Sequence, residues 1–209
     1  MNGGYEMPSS YDIEGLSERS NEDCKGITES RDRIMGMLRA EHEATSLPYA
    51  RMVLAGFSQG GALSLFCGLQ MPADQRLAGV LCMSGYLAGA KQFKLSETSK
   101  TTPVLHLHGT ADPMVKYDAA LKTKEHLKAA GADVVLKPYA GMAHTVTPEE
   151  LGDALSFLNK CLPGETKQPD QMSVKELKAA ILEGGLGAQA QGLFEKHELV
   201  NLLKSNKSL

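Results

Sequence analysis

Short apolar runs alternate along this chain with longer amphipathic or polar stretches. Four runs of strand length occur, at Met52–Ala55, Leu77–Ser84, Pro103–Gly109 and Val134–Tyr139. They are nearly continuous in apolar residues, as is typical of strands buried on both faces of a parallel sheet. Since helical segments separate them, the pattern predicts an α/β domain with a mainly parallel sheet.

Helical spacing of apolar residues marks segments before, between and after these runs. The predicted helices cover Ser30–Glu43, Ala62–Leu69, Ala119–Ala130 and Pro148–Cys161. Gly131 is a C-terminal stop signal, and the proline and acidic residues that open the last helix suit its N-terminus. Residues 88–101 form a polar loop that could border a ligand cleft.

The last quarter of the sequence has a different organisation. A polar, proline-punctuated linker spans residues 163–172, between a domain predicted at 1–162 and a helical segment at 173–209. Ser173 and Glu176 form a capping box that opens one helix, and a second helix is predicted at Glu195–Leu203.

Composition narrows the class of protein. The chain has 209 residues, 42% hydrophobic and 22% charged, which is typical of a soluble globular protein. A net charge of −3 argues against a nucleic-acid partner, and no apolar run approaches the ~20 residues of a membrane span. The N-terminal residues lack a signal-peptide pattern, and the four scattered cysteines indicate reduced thiols, so a cytoplasmic location is expected.

The most specific chemical signal follows the first apolar run. Gly56-Phe-Ser58-Gln-Gly60 stands between a predicted strand and a predicted helix. A G-x-S-x-G turn in this setting is typical of a nucleophile elbow, in which a strained turn lifts the serine hydroxyl above the sheet. The helix N-terminus behind it favours negative charge on a bound oxyanion. An ordinary glycine-rich turn is the alternative interpretation.

A serine nucleophile needs a base, and the base needs an orienting carboxylate. Asp112 and His144 each follow a predicted strand, in the hydrolase order Ser, Asp, His. Taken singly, Asp112 could be a turn residue before proline and His144 a loop histidine that caps a helix. Three matching positions in the right order favour a catalytic triad.

The sequence also contains residues suited to two other chemistries. His106 and His108 would face the same side of a strand, as a pair of zinc ligands could, but no third ligand has suitable spacing. The cysteines offer an alternative nucleophile, but none lies in a motif of its own. We therefore expect neither a metal nor a cofactor.

The motifs resemble those of the acyl-protein thioesterase and lysophospholipase-like carboxylesterases, which are α/β-hydrolases. The resemblance spans about residues 5–162 and rests on the Ser58 motif, His108-Gly-x-x-Asp112-Pro-x-Val115, Gly141-Met-x-His144 and a segment from Met7 to Asp12. It implies that Ser58 is the nucleophile, His144 the general base and Asp112 its orienter. The expected oxyanion or substrate-binding residues are Gln59, Ser84, Gly85, Met114 and Val115.

The chain also departs from the family pattern. No apolar strand and His-Gly-x-Gly-Asp loop, the source of a second oxyanion donor in the family, precedes Met7, so the chain resembles an N-terminally truncated member. Loss of one donor typically lowers turnover by about 10²- to 10³-fold. The missing strand would expose Met52–Ala55 as an apolar edge, so we expect either poor solubility or a homodimer formed through this edge. Ser10 replaces a family tryptophan, and Ala88 replaces a frequent proline.

The resulting hypothesis is a serine hydrolase of acyl thioesters or carboxylic esters, with S-acylated proteins as the expected substrates. The alternative is a catalytically weak hydrolase-fold protein that docks a partner through its C-terminal helices. Residues 173–209 resemble the SAP-like motif, which serves in nucleic-acid or protein docking; a plain helical hairpin is the competing interpretation.

Overall fold

Four parallel strands form one sheet in the order β1-β2-β3-β4. In this computed structural model, which describes residues 9–13, 24–164 and 168–206, the strands are β1 (Val53–Phe57), β2 (Gly79–Met83), β3 (Val104–Gly109) and β4 (Val134–Tyr139). Ala55 pairs with Leu81, and Cys82 pairs with His106. The sheet confirms the predicted fold class, and each carboxyl end delivers a loop to the same edge.

Two of the α-helices of this unit lie between strands in sequence, one precedes β1 and one follows β4. They are α1 (Ile27–Thr45), α2 (Gln59–Gly68), α3 (Tyr117–Ala129) and α4 (Pro148–Cys161), with short 3₁₀ segments at Tyr49–Arg51 and Glu97–Thr101. α2 begins three residues before the predicted start, because the glycines after Ser58 are themselves helical. Thr147 caps α4, since its hydroxyl accepts a hydrogen bond from the Glu150 N–H.

Alternate residues of the strands face two separate apolar clusters. Val80 and Cys82 pack with α2, eight of whose ten residues are buried. Leu81 and Leu107 face the other side, where Phe157 of α4 packs against their cluster. Because β2 and β3 are covered on both faces, their sequences are continuously apolar.

β1 is an edge of the described sheet. The Met52 carbonyl accepts a hydrogen bond from the Ala78 N–H, and the Ser58 N–H donates one to the Met83 carbonyl. The backbone N–H and C=O groups of the even-numbered residues of β1 therefore point toward β2. The N–H and C=O groups of the odd-numbered residues therefore point outward, and no strand among the described residues pairs with them. Ala55, in the middle of this edge, is exposed.

The expectation that residues 88–101 border a ligand cleft is wrong for the centre of this segment. Phe93 is buried against Phe66, and the Lys94 and Ser96 N–H groups bond to residues at the C-terminal end of α2. That end lies about 15 Å from Ser58, because ten helical residues separate them.

The contacts divide the chain into two compact units, Met1–Leu162 and Pro163–Leu209. The second unit contains α5 (Val174–Glu183) and α6 (Lys196–Ser205), preceded by a 3₁₀ turn at Pro169–Gln171. The predicted capping box of Ser173 and Glu176 opens α5. The unit has a cluster of its own, centred on the buried residues Leu177, Ile181, Leu199 and Val200.

Candidate active site

Ser58 stands at the carboxyl end of β1, immediately before α2. Its backbone has φ 54° and ψ −120°, a conformation that L-residues seldom adopt. The Ser58 N–H donates to the Met83 carbonyl at 2.8 Å, which fixes the strained turn to the neighbouring strand. This geometry is that of a nucleophile elbow, with the hydroxyl raised above the end of the sheet.

Two of the three glycines at the elbow are required by close backbone contacts. A Cβ on Gly56 would lie 2.2 Å from the carbonyl carbon of Gly60, and one on Gly61 would lie 2.9 Å from the Gly56 oxygen. Gly60 differs, since a Cβ there would meet no atom within 4 Å. Close packing therefore requires glycine at the first glycine position of the Gly-x-Ser-x-Gly motif but not at the second, Gly60, which lies on the exposed side of α2.

The structure brings Ser58, His144 and Asp112 into one hydrogen-bonded chain. His144 Nε2 lies 2.9 Å from Ser58 Oγ, and His144 Nδ1 lies 2.7 Å from Asp112 Oδ2. The Asp112 side chain is fully buried, whereas that of His144 is 17% exposed. These distances permit proton transfer from the serine to an imidazole that the carboxylate orients.

Asp112 is held by the turn that follows it. Its Oδ1 accepts hydrogen bonds of 2.8 Å from the N–H groups of both Met114 and Val115. Oδ2 is thereby left for His144. Two backbone N–H donors stabilise the carboxylate without competing for the oxygen that orients the imidazole.

The loops that carry Asp112 and His144 are joined directly. The Gly141 N–H donates to Thr110 Oγ1 at 3.0 Å, and the Ala111 N–H donates to the Met142 carbonyl at 3.1 Å. A Cβ on Gly109 would lie 2.1 Å from that same carbonyl oxygen. Strand β3 ends in glycine because the loop that carries His144 crosses over it at this point.

Phe57 and Gln59, the neighbours of Ser58, have further contacts. The Phe57 ring lies 4.8 Å from the His144 ring, a contact that sequence reasoning missed although Phe57 lies within the motif.

The Gln59 side chain donates to Ser9 Oγ and the Tyr11 carbonyl, each at 2.9 Å. As the first residue of α2, Gln59 has a backbone N–H without an intrahelical acceptor, as an oxyanion donor requires. Met7 and Pro8 of the resembling segment lie outside the described residues.

The other predicted binding residues fall into two groups. Met114 is 48% exposed, beside the Asp112 turn. Ser84 and Val115 are buried, and a Cβ on Gly85 would meet the backbone of α2 at 3.0 Å, so these three support the loops from behind. Contact of any of the four with substrate stays a prediction.

The surroundings of the two histidines and of the cysteines are typical of side chains with a structural role. His106 Nε2 lies 3.1 Å from the Gly85 carbonyl oxygen, and His108 Nε2 lies 2.7 Å from that of Val115. No cluster of three metal-binding side chains occurs within the described ranges. Burial raises the pKa of both the Cys67 and Cys82 thiols to about 12, which disfavours the thiolate that nucleophilic attack needs.

Comparison with known proteins adds independent evidence. The model of the phospholipase/carboxylesterase family matches residues 1–162. Acyl-protein thioesterase 1 of Mycosarcoma maydis is 40% identical over 179 residues, or 79% of this chain and 74% of that protein. Acyl-protein thioesterase 1 homolog 1 of Dictyostelium discoideum is 36% identical over 163 residues, covering 78% and 72%.

Solved structures give the same result. Zea mays acyl-protein thioesterase 2 superposes with a TM-score of 0.62 at 25% identity, covering 73% of this chain and 71% of that one. No helix in the described part of the chain is long and apolar enough to cross a membrane. The matched family model, the relatives and the hydrogen-bonded Ser58–His144–Asp112 chain agree: this chain belongs to the phospholipase/carboxylesterase family.

Proposed function

We propose that the chain is a serine hydrolase of acyl thioesters and carboxylic esters, with Ser58, His144 and Asp112 as its catalytic residues. The hydrogen-bonded chain through these three side chains carries the proposal. His144 Nε2 takes the hydroxyl proton as Ser58 Oγ bonds to the acyl carbon. Asp112 stabilises the resulting imidazolium through its 2.7 Å bond to Nδ1.

The second half of the cycle uses the same groups. The C–S or C–O bond breaks, and His144 returns its proton to the leaving thiol or alcohol. A water molecule, deprotonated by His144, then releases the acyl group from Ser58 as a carboxylic acid. The Gln59 N–H at the start of α2 faces the negative charge that develops on the carbonyl oxygen.

S-acylated proteins are the substrate class that we propose first. Support comes from relatives whose names are acyl-protein thioesterase, at 36% and 40% identity. Nothing in these comparisons supports the alternative of a catalytically weak docking protein. Lysophospholipids and small carboxylic esters remain the competing substrates for the same chemistry.

Two measurements test the proposal. A fluorophosphonate probe is expected to label this chain but not Ser58→Ala, and labelling should correlate with hydrolysis of an S-acylated peptide. Equal, negligible labelling of both proteins would contradict the assignment of Ser58. Faster turnover of lysophosphatidylcholine than of the thioester would keep the triad but replace the substrate class.

For the partners, we propose self-association through the outer edge of β1. Its outward N–H and C=O groups can pair with the same edge of a second copy. Light scattering is expected to show a dimer that Ala55→Lys converts to a monomer, because a charged side chain on the edge opposes pairing. A monomer at all concentrations would overturn this proposal.

We also propose that residues 173–209 dock a protein partner in the cytoplasm. Phe194 is 85% exposed and Leu182 is 71% exposed, and neither belongs to the apolar cluster of this unit. Phe194→Ser is expected to weaken co-purification of a partner without lowering esterase activity.

The buried thiols of Cys67 and Cys82 are compatible with a reducing compartment.

A further inference from the structure

His108 is completely buried beside the site, and the proposed reaction gives it no part. It is the penultimate residue of strand β3 and lies four residues before Asp112. Its Nε2 is 2.7 Å from the Val115 carbonyl oxygen and 3.7 Å from Asp112 Oδ2. His108 is therefore hydrogen-bonded to the Val115 carbonyl, whereas its distance to Asp112 is too long for a hydrogen bond.

The surroundings of His108 select one protonation state. Because the Val115 carbonyl can only accept, Nε2 must carry the hydrogen. Nδ1 is buried and has no hydrogen-bond partner among the described residues. A second proton there would create an unpaired buried donor in addition to a buried charge, so the neutral ring is favoured. Burial accordingly lowers the pKa of His108 below its ordinary value.

The bond from His108 acts on Asp112 through the intervening turn. The carbonyl of Val115 accepts from His108, while the N–H of Val115 donates to Asp112 Oδ1 at 2.8 Å. Fixing the carbonyl fixes the orientation of the turn and of its N–H groups. The Asp112 carboxylate is therefore held with Oδ2 toward His144.

We propose that His108 is a positioning residue: as a neutral imidazole bonded to Val115, it holds the turn that aims Asp112 at His144. The inference rests on the proposed hydrolase function. The titratable groups around His108 are Asp112, His144, the His106 ring at 5.5 Å and the Tyr117 ring at 6.1 Å. A neutral His108 leaves the charge of Asp112 available to the His144 imidazolium.

His106 supplies a matched control. It lies two residues earlier on the same strand, is equally buried, and bonds from Nε2 to a carbonyl, that of Gly85. Like His108, it has an Nδ1 without a partner among the described residues. Unlike His108, it bonds to the loop after β2 and not to the turn that holds Asp112.

The experiment compares His108→Leu, His108→Gln and His108→Asn with the control His106→Leu. Both leucine variants should lose stability, since each removes a buried hydrogen bond and leaves a carbonyl unpaired. Only His108→Leu is expected to lower kcat per fluorophosphonate-titrated site, by about 10- to 100-fold with KM little changed, because a misdirected base slows chemistry more than binding. Its kcat/KM profile should keep its shape while the acid limb moves to lower pH, since a misaligned carboxylate stabilises the His144 imidazolium less.

Rescue and spectroscopy complete the test. His108→Gln, whose amide can donate to Val115, should restore most of kcat, whereas His108→Asn is too short to do so. The far-downfield proton of His144 Nδ1 in the NMR spectrum should weaken in His108→Leu and persist in His106→Leu. This readout needs no turnover, so it remains decisive if wild-type Ser58 is inactive and the proposed function fails. An unchanged acid limb and downfield proton in His108→Leu, or equal loss of kcat in both leucine variants, would overturn the inference.

Discussion

Ser58 is held by its backbone, whereas Asp112 and His144 are held largely by hydrogen bonds of loops. At the elbow, Gly56 meets Gly60 so closely that no side chain fits, and the serine is fixed in a strained conformation. The turn after Asp112 instead rests on donors to its carboxylate, and Thr110 joins it to the loop of His144.

The difference teaches where each part of the site is sensitive to substitution. Backbone atoms at the elbow leave no space for a side chain, so a substitution there should lower the stability of the fold more than it lowers kcat. Hydrogen-bonded loops can lose one bond and remain folded, so a substitution there should disturb chemistry before folding. The following substitutions examine this division, beginning with the largest effect.

Asp112→Asn should produce the largest loss without unfolding the protein. The amide oxygen can still accept from Met114 and Val115, but its nitrogen cannot accept the His144 Nδ1 proton. The wrong imidazole tautomer is then favoured, and kcat should fall by about 10⁴-fold. Steady-state kinetics and thermal melting measure the two effects, with exposed Asp118→Asn as the control. If Asp112→Asn lowered the melting temperature so far that unfolding explained the loss of kcat, the division between the elbow and the loops would be wrong.

Gly56→Ala should produce the opposite result. The added methyl group would meet the Gly60 carbonyl, so the free energy of unfolding should fall by about 3 kcal/mol. Gly60→Ala is the matched control, because its methyl group would meet no atom within 4 Å. Urea denaturation should therefore distinguish two glycines of one motif. Equal stability of both variants would show that the elbow tolerates more than its contacts indicate.

Thr110→Val removes the hydroxyl that accepts from the Gly141 N–H. The protein should remain folded while kcat falls about fivefold, as expected from loss of a hydrogen bond of about 1 kcal/mol. Thr110→Ser keeps the hydroxyl and should retain the rate. If valine and serine variants have the same kcat, this bond does not align the two loops.

Glu150 offers the smallest effect, through pH. It is fully buried in the first turn of α4, its carboxylate oxygens have no partner among the described residues, and burial raises its pKa. A raised carboxyl pKa means that stability is lost as pH rises from the unfolded pKa through the folded one. Glu150→Gln should therefore be more stable than the wild type at pH 7 and no more stable near pH 4, where the carboxyl is largely protonated in both the folded and the unfolded protein. Exposed Glu149→Gln is the control, and a gain independent of pH would refute the interpretation.

The sequence predicts the parts of this site that local patterns encode. The elbow of Ser58 and the strand-end positions of Asp112 and His144 follow from motif and chain order, as does each of the four strands to within a few residues. The contact of Phe57 with His144 and the burial of Phe93 do not follow, since both depend on residues distant in the chain. Nothing local in the sequence distinguishes His108 from His106, because their different carbonyl partners exist only in the folded state.

The strained backbone of Ser58 also bears on how this family diverges. A residue with φ 54° and ψ −120° stores energy that glycine at the same position would largely release. Stability and chemistry therefore make opposite demands at position 58, and only selection for hydrolysis preserves the serine. In a lineage that keeps the fold but abandons the reaction, replacement by glycine meets no structural resistance. The amino acid at position 58 thus records whether a descendant of this scaffold is still under selection as an enzyme.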